Sequence, residues 1–247
     1  MDFQLGFWAD PIYRTGDYPQ SVKTIIGNDL PQFTEEEKEL NRDSSDFFGL
    51  NHYTTRLYEK CEDGSANCDH GIKGTICDDW LTSGSSWLFS VPWGFRKLLN
   101  YVHDTYDSDK YPIYITENGI SSSGTSNGTD SNPGIDDYWR INHYHGYIGQ
   151  MQRAITEDGV NVKAYTAWSL MDNFEWSMGY SERFGLIWVN YTDPERTLFW
   201  KDSARYYQQV AESNFVAASG TDNLSLSIGI IIGMIIAYFF FDYSEFL

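Results

Sequence analysis

Residues 112–119 read Pro-Ile-Tyr-Ile-Thr-Glu-Asn-Gly, a short apolar run that ends in a carboxylate, an amide and a glycine. Such a run predicts a buried strand with Glu117 at its C-terminal end. The alternative is a β-hairpin, because Asn-Gly is a strong hairpin turn signal. A hairpin needs a second alternating strand, whereas the residues from Ser121 to Pro133 are loop-like. We therefore expect Glu117 to be fixed at the end of a rigid strand.

Two further apolar runs lie before and after this one. The residues from Asp46 to Asn51 and from Val162 to Leu170 predict buried strands. Between these two runs, apolar residues recur from Pro92 onwards at helical spacing. Ahead of both runs, Thr34 with Glu37 gives the signature of a helix capping box. Buried strands that alternate with amphipathic helices predict an α/β fold with a parallel sheet. A closed (β/α)8 TIM barrel needs eight such units, and the three strong ones found here amount to about half of one.

Polar side chains follow the C-terminal ends of these predicted strands. They are Asn51, Glu117 and the group from Asp172 to Glu175, and in a (β/α) barrel this face builds the active site. Around the last group, Trp168 and Trp176 bracket carboxylates and an amide. A sugar site needs this mixture, because aromatic faces cover the C–H surface of a sugar and carboxylates accept hydrogen bonds from its hydroxyls. The pattern therefore indicates a carbohydrate ligand.

The charge of the chain excludes one class of partner. Among 247 residues there are 17 Lys and Arg against 35 Asp and Glu, which gives a formal net charge of −18. A chain this acidic repels phosphate backbones, and no basic stripe reverses the charge locally. We therefore expect no nucleic-acid partner.

The three cysteines, Cys61, Cys68 and Cys77, lie in one polar stretch that reads as a loop. Two of them can pair in an oxidising compartment, and the alternative is three free thiols. We expect a Cys61–Cys68 disulfide if the chain reaches the secretory pathway. Because no histidine lies at zinc-site spacing from these cysteines, we expect neither a metal site nor a cofactor.

The end of the chain has a different composition. Residues 224–241 read LSLSIGIIIGMIIAYFFF, a run of eighteen residues without a charge, which is just long enough to span a bilayer. We expect a juxtamembrane linker over 216–223, a transmembrane helix over 224–241 and a short acidic tail over 242–247. A core helix would show a polar face, which this run lacks. A GPI-anchor signal is the other alternative, although the charges of Asp242 and Glu245 argue against it.

Glycosylation sequons suggest the orientation of this span. Three Asn-X-Ser/Thr triplets, at Asn127, Asn190 and Asn223, precede it. They favour a single-pass membrane protein whose large domain is extracellular or lumenal. That topology requires a signal sequence, and residues 1–6 do not have the pattern of one. We therefore expect the chain to be the C-terminal part of a longer membrane protein; taken literally, it would be tail-anchored and face the cytosol.

Three long motifs carry a family resemblance. They are Tyr-Ile-Thr-Glu-Asn-Gly at 114–119, the segment from Trp168 to Trp176, and Gly-Tyr-Ser-Glu-Arg-Phe-Gly-Leu at 179–186. Together with shorter matches at 3–6, 10–11, 16–19 and 49–54, they resemble the C-terminal half of family 1 glycoside hydrolases. This family contains β-glucosidases and the membrane-anchored intestinal lactases. The resemblance implies that residues 1–215 form the C-terminal half of a (β/α)8 barrel that acts on terminal β-glucosides or β-galactosides.

The resemblance also implies a role for individual residues. Glu117, on the seventh barrel strand, would be the catalytic nucleophile, with Tyr53 hydrogen-bonded to it and Asn51 lining the same pocket. The substrate-binding residues would be Trp168 as the sugar platform, Glu175 and Trp176 at the sugar hydroxyls, Phe184 beside them, and Trp87 at the leaving-group site. Two positions depart from the family pattern: His52 replaces an aromatic residue, and Asn190 replaces an aspartate.

One catalytic group of the family is missing from the sequence. The general acid/base of family 1 is the Glu of an Asn-Glu-Pro motif on the fourth barrel strand, and no such triplet occurs here. A retaining glycosidase needs two carboxylates, one as the nucleophile and one as the general acid/base. We therefore expect a fragment of a retaining β-glycosidase that is inactive alone. The alternatives are a catalytically inactive glycosidase-like co-receptor or binding module, and a truncated gene product with no function of its own.

Overall fold

A three-stranded parallel sheet lies at the centre of the computed structural model, which describes residues 1–62, 65, 68, 71–123 and 134–216. The strands in chain order are β1 (Phe48–Asn51), β2 (Leu57–Lys60), β3 (Ile72–Thr75), β4 (Leu81–Thr82), β5 (Phe89–Ser90), β6 (Ile113–Asn118), β7 (Ser122–Ser123), β8 (Val162–Ala167), β9 (Glu182–Arg183), β10 (Ile187–Val189) and β11 (Leu198–Trp200). The α-helices are α1 (Phe7–Tyr13), α2 (Gln20–Ile26), α3 (Glu35–Asn41), α4 (Pro92–Tyr106), α5 (Tyr138–Asp158) and α6 (Asp202–Ser213). The central sheet has the order β1-β6-β8.

The parallel sheet confirms the predicted α/β class. Leu50 pairs with Ile115, and Ile115 pairs with Tyr165, so that the carboxyl ends of all three strands lie at one edge of the sheet. The helices α4 and α5 connect β1 to β6 and β6 to β8, and they pack against each other. This is the crossover arrangement that parallel strands require.

The core lies between one face of this sheet and the helices. Ile113 and Ile115 are fully buried there with Phe95 and Leu99 of α4 and Tyr147 of α5. Full burial of a side chain of this size contributes about 1.5–3 kcal/mol. Because Phe95 and Leu99 belong to the apolar spacing that begins at Pro92, their burial confirms the predicted apolar face of α4.

The opposite face of the sheet is open to solvent in the described part of the chain. Gly49, Asn51 and Thr116 are exposed on it, and Thr116 Oγ1 donates a hydrogen bond of 2.5 Å to Asn51 Oδ1. Parallel sheets are normally covered on both faces. In this chain the described helices cover only one.

Three local features were predicted: a helix cap, a disulfide and the end of a strand. The Thr34–Glu37 capping box is confirmed, with both of its hydrogen bonds present. The Cys61–Cys68 disulfide is also confirmed, and Cys77 is a free thiol. The strand predicted from Val162 to Leu170 ends earlier, at Ala167.

The segment after Gly119 is not purely a loop, because β7 lies within it and pairs with β9 in antiparallel fashion. Since β7 pairs with this distant strand and not with β6, the hairpin alternative for Glu117 is wrong.

The predictions for the end of the chain lie outside the described residues, which stop at Val216. The proposed linker, membrane span and acidic tail are therefore not described. Up to Val216, none of the described helices combines the length and the apolar character that a membrane crossing requires.

Two histidines with enclosed rings lie between α4, α5 and the end of β1: His143 is fully buried and His52 is half-buried. His52 stacks on Phe95 with ring centroids 5.1 Å apart, and His143 packs against Tyr147 at 4.3 Å. The Nδ1 atom of His143 makes a hydrogen bond of 2.9 Å with Ser90 Oγ. Burial lowers the pKa of His52 to about 4 and that of His143 to about 3.

These lowered pKa values predict that acid destabilises the fold before the carboxylates titrate. Below pH 6.5 the histidines are protonated in the unfolded chain but stay neutral in the folded one, which favours unfolding. The contribution of these neutral histidines to stability is therefore fully present above pH 6.5 and is lost as the pH falls toward about 4. From pH 7 to pH 5, each buried neutral histidine should reduce the free energy of unfolding by about 2 kcal/mol. Urea unfolding of the full chain in detergent micelles, followed by circular dichroism, measures this loss.

The variant His143→Gln should lose about half of that pH dependence. His145→Gln is the matched control, because it removes a half-buried histidine from the same helix. If His143→Gln keeps the same dependence as the unmodified chain, His143 is not a buried neutral histidine.

Candidate active site

The candidate site lies where the carboxyl ends of the three parallel strands meet. Glu117 is the penultimate residue of β6, Tyr53 follows β1 by two residues, and Trp168 directly follows β8. The hydroxyl of Tyr53 donates a hydrogen bond of 2.7 Å to Glu117 Oε2. The backbone N–H of His52 donates to the carbonyl oxygen of Glu117 at 3.0 Å. Both the side chain and the backbone of Glu117 are thus tied to the end of β1.

The Tyr53 phenol acts as a hydrogen-bond donor to Glu117. Burial raises its pKa far above the ordinary value, and the adjacent Glu117 carboxylate raises it further. The Tyr53 ring meets Phe184 and Trp87 edge to face, each at a centroid distance of 6.0 Å. These contacts fix the phenol against the carboxylate.

Asn118, next in the chain, is fully buried and joins all three strands. Its Nδ2 atom donates to the carbonyl oxygen of His52 at 2.7 Å, and its Oδ1 atom accepts from the hydroxyl of Tyr165. Its carbonyl oxygen accepts from the backbone N–H of Trp168 at 2.7 Å. This residue therefore sets the relative position of the strand ends around Glu117.

Gly119 explains the Asn-Gly pair that follows Glu117. A Cβ atom at this position would lie 1.9 Å from the carbonyl oxygen of Trp168. Glycine is needed here because the Trp168 backbone approaches too closely for any side chain. The same approach brings the end of β8 against the end of β6.

Asn51 lies beside Glu117 across the strand pair, since the two residues are register partners. Its side chain is exposed on the open face of the sheet, where it accepts the hydrogen bond from Thr116. The structure therefore brings Asn51, Tyr53 and Glu117 together at the carboxyl ends of β1 and β6.

Trp168 and Glu175 form the second part of the site. The indole N–H of Trp168 donates to Glu175 Oε1 at 3.3 Å, and Trp168 packs against the small cluster that contains Phe184. Burial raises the pKa of the Glu175 carboxyl, whereas the hydrogen bond from Trp168 lowers it. As a residue, Glu175 is only 7% exposed.

The two remaining predicted site residues are more open. Trp176 follows Glu175 and is 83% exposed, and Trp87 is 46% exposed. The Trp87 ring stands at the side of Tyr53, as described above. The structure groups Trp87 and Phe184 with Tyr53, and it leaves the Trp176 ring in solvent.

The side chain of Asp172 is not available to a ligand, contrary to its grouping with the sugar-binding polar residues. Its oxygens accept hydrogen bonds from Arg183 Nη1 at 2.8 Å and from Lys201 Nζ at 3.1 Å. They also accept from the backbone N–H groups of Gly185 and Val189. Burial lowers the pKa of the Lys201 amine to about 7, although the Asp172 carboxylate raises it. Asp172 therefore holds together the loop that carries Glu175.

Sequence reasoning missed the structural roles of Asn118 and Asp172. An amide that ends an apolar strand beside Glu117 was a usable signal for Asn118. The partners of Asp172 are 11 and 29 residues away in the chain, and no local pattern connects them.

Chemically, the site offers a carboxylate held by a phenol, a second carboxylate held by an indole, and aromatic rings around both. A carboxylate on a rigid strand end can attack an electrophilic carbon, and aromatic rings beside hydrogen-bond acceptors fit a sugar ring.

Comparison with known families gives one match over nearly all of the described chain. The sequence profile of Glycosyl hydrolase family 1 matches residues 1–216. Lactase-like protein from Homo sapiens is 39% identical over 229 residues, covering 87% of this chain and 39% of that protein. Beta-glucosidase 4 from Oryza sativa subsp. japonica is 41% identical over 199 residues, covering 77% of this chain and 40% of that protein.

Solved structures give the same result. A GH1 β-glucosidase from the fungus Humicola insolens, in complex with glucose, superimposes with a TM-score of 0.77 at 35% identity, covering 86% of this chain and 45% of that one. Beta-glucosidase 2 from the fungus Trichoderma reesei, in complex with Tris, gives 0.78 at 37% identity, covering 88% and 47%. The chain therefore spans less than half the length of each of these proteins.

The contact between Trp168 and Glu175 makes a testable prediction. Replacing Trp168 by Phe keeps an aromatic ring and removes the N–H that stabilises the ionised carboxyl, so the pKa of Glu175 should rise further. Carbon-13 NMR titration of the Glu175 carboxyl in the full chain measures this shift. Trp176→Phe is the matched control and should leave the pKa of Glu175 unchanged. An unchanged or lower pKa in Trp168→Phe would contradict the hydrogen bond.

Proposed function

The chain belongs to glycosyl hydrolase family 1, and on that basis we propose that it carries the nucleophile side of a retaining β-glycosidase for terminal β-glucosides or β-galactosides. The observation that carries the proposal is the 2.7 Å hydrogen bond between Tyr53 and Glu117 at the end of a parallel strand. It holds one carboxylate oxygen, and the other stays available for attack. The β-glucosidases among its relatives support the same reaction class.

In the proposed reaction, a Glu117 carboxylate oxygen attacks the anomeric carbon and the bond to the leaving group breaks. The product is a glycosyl-enzyme ester on Glu117, which water then hydrolyses with overall retention. The Tyr53 phenol orients the carboxylate. Trp168 supports the sugar ring, and Glu175, which the Trp168 indole holds in place, accepts hydrogen bonds from hydroxyls. We assign Asn51, Trp176 and Phe184 to the sugar pocket and Trp87 to the leaving-group side.

The proton for the leaving group must come from elsewhere. A retaining glycosidase uses a second carboxylic acid about 5–5.5 Å from the nucleophile, which protonates the leaving group and then activates water. The sequence contains no Asn-Glu-Pro triplet. We infer that this chain is the C-terminal half of a (β/α)8 barrel, and that the first half supplies this acid. Alone, the chain should not complete the cycle.

A binding module that has lost catalysis is the second candidate function. The missing acid/base motif favours it. Glu117 and its hydrogen-bonded partner Tyr53 favour the enzyme, because binding alone does not require an attacking carboxylate at a strand end.

We further propose that residues 224–241 anchor the protein in a membrane and that the glycosidase domain is extracellular or lumenal. The support is in the sequence: an uncharged run of sufficient length, with sequons before it.

Catalysis can be tested by joining the full chain to the N-terminal half of a β-glucosidase relative. The joined protein should hydrolyse aryl β-glucosides with retention. Glu117→Gln should lower kcat by several orders of magnitude, because it preserves the shape and removes the attacking charge. Glu39→Gln, on the exposed surface of α3, is the control and should keep full activity. Steady-state kinetics give the rates, and NMR of the first product anomer gives the stereochemistry.

Azide provides an independent check on the same residue. Glu117→Gly opens space at the nucleophile position, so added azide should form an α-glycosyl azide. Glu117→Gln should respond poorly, since the amide fills that space. If the joined protein is inactive with both carboxylates present, or if Glu117→Gln keeps most of its activity, the binding-module function takes the place of the enzyme.

The membrane proposal makes its own prediction. The full chain should stay with the membrane fraction after alkaline carbonate extraction, whereas a version that ends at residue 223 should not. Release of the full chain into the soluble fraction would refute an integral span.

A further inference from the structure

Three segments of the chain meet beside the candidate site, where two buried serines surround one carboxylate. Ser85 and Ser121 are 1% and 0% exposed, and Glu182 of β9 is 8% exposed. The hydroxyl of Ser85 donates a hydrogen bond of 2.5 Å to Glu182 Oε2. Because its one proton is used there, Ser121 is the donor in the contact of 2.7 Å between the two hydroxyls. The hydroxyls therefore form a hydrogen-bonded chain that ends on the carboxylate.

This carboxylate has no cation to balance it. Among the residues that the structure describes, no basic side chain forms an ion pair with Glu182, and the neighbouring Arg183 pairs with Asp172 instead. Burying a carboxylate is unfavourable unless hydrogen bonds replace the water that it loses. A hydrogen bond to a carboxylate is also stronger than one between neutral groups. The bond from Ser85 therefore stabilises Glu182 in the interior, and Glu182 in turn fixes Ser85.

Ser85 begins the turn that carries Trp87. The backbone N–H of Leu88 donates to the carbonyl oxygen of Ser85 at 3.1 Å, which closes a turn over residues 85–88. Leu88 is fully buried in an apolar cluster against which Tyr53 packs. Between these two anchors, Trp87 is 46% exposed, and its ring meets the ring of Tyr53. The turn thus presents the Trp87 ring at the side of the candidate site.

The remaining contacts of the turn lie nearer to solvent. Arg56 Nη2 donates to the carbonyl oxygen of Trp87 at 2.6 Å in an exposed hydrogen bond, which water can replace. Ser86 is exposed, and its hydroxyl makes no hydrogen bond to any residue that the structure describes. The bond between Ser85 and Glu182 is the polar anchor of the turn that water cannot replace.

We propose that Glu182 is a positioning residue, which acts through Ser85 to hold the Trp87 ring where the leaving group of a β-glycoside binds. This rests on the proposed function, which assigns Trp87 to that side of the site. Glu182 does not touch the substrate, because it is buried and reaches the turn through one hydrogen bond. An aromatic wall contacts only a leaving group large enough to reach it. The bond to Glu182 therefore favours large, flat leaving groups and has no effect on binding of the sugar ring.

Fluorine NMR of the full chain, labelled with 5-fluorotryptophan and held in detergent micelles, tests the position of the Trp87 ring. The signal that disappears in Trp87→Phe belongs to Trp87. Ser85→Ala and Glu182→Ala should each shift or broaden this signal, because the turn loses its buried anchor. Glu182→Gln should preserve the signal, since the amide oxygen still accepts from Ser85. Ser86→Ala is the matched control and should leave the signal in place, because it removes an exposed hydroxyl from the same turn.

Ligand binding tests the link to the leaving group. The full chain, joined to the N-terminal half of a β-glucosidase relative, would be titrated calorimetrically with phenyl and methyl β-thioglucoside. These compounds share the sugar and differ in the group attached to sulfur. Ser85→Ala and Glu182→Ala should weaken binding of the phenyl compound about fivefold, which is the effect of one hydrogen bond, and change that of the methyl compound less than about twofold. Glu182→Gln should bind both compounds like the unmodified protein.

The outcomes separate positioning from the proposed function. If Glu182→Ala leaves the Trp87 signal unchanged, or if binding of both thioglucosides weakens equally, the proposal is wrong. It is also wrong if Ser86→Ala moves the signal as much as Ser85→Ala does. The signal of the buried Trp188 reports the fold of each variant, and Ser85→Ala, which removes a single atom, decides the test if Glu182→Ala disturbs that signal. If signal and binding change as expected but the joined protein does not hydrolyse aryl β-glucosides, positioning stands and the proposed function fails.

Discussion

The hydrogen bond from the Tyr53 phenol to the Glu117 carboxylate is the contact on which the candidate site depends, because it joins side chains from the ends of two strands. A carboxylate on a flexible loop would be free to turn toward water. Here β6 fixes the backbone of Glu117, and the buried side chain of Asn118 ties that backbone to both neighbouring strands. The parallel sheet thus holds the Glu117 carboxylate rigidly, as the proposed role of nucleophile requires.

The loop after β8 needs a different kind of support, since it has no sheet to hold it. Asp172 provides this support by accepting hydrogen bonds from Arg183 and Lys201 inside the protein. Removing one partner of such a buried set leaves a charge unpaired, which costs about 3–5 kcal/mol. The positions of Glu175 and Trp168 therefore depend on an ion-pair cluster that is itself inside the protein.

The parts of the structure that follow from local sequence were predictable. The apolar run before Glu117 indicated β6, the spacing from Pro92 indicated α4, and Thr34 indicated the start of α3. The two-residue strand β7 was missed because its partner, β9, lies about sixty residues further along the chain. The inward orientation of Asp172 was missed for the same physical reason: its cationic partners are distant in sequence, and polar residues near a site resemble ligand-binding residues. The catalytic roles assigned to Glu117 and Tyr53 stay predictions. So do the substrate-binding roles assigned to Asn51, Trp87, Trp168, Glu175, Trp176 and Phe184.

Covalent trapping identifies the residue that acts as the nucleophile. A dinitrophenyl 2-deoxy-2-fluoro-β-glucoside has a leaving group that needs no protonation, and its fluorine slows hydrolysis of the glycosyl-enzyme. The chain, completed by an N-terminal half-barrel, would be incubated with this reagent, digested with a protease and mapped by mass spectrometry. We expect one fluoroglucosyl group, on the peptide that contains Glu117, which would confirm this residue as the nucleophile. A label on the peptide that contains Glu175, or no label on a folded and complete barrel, would contradict it.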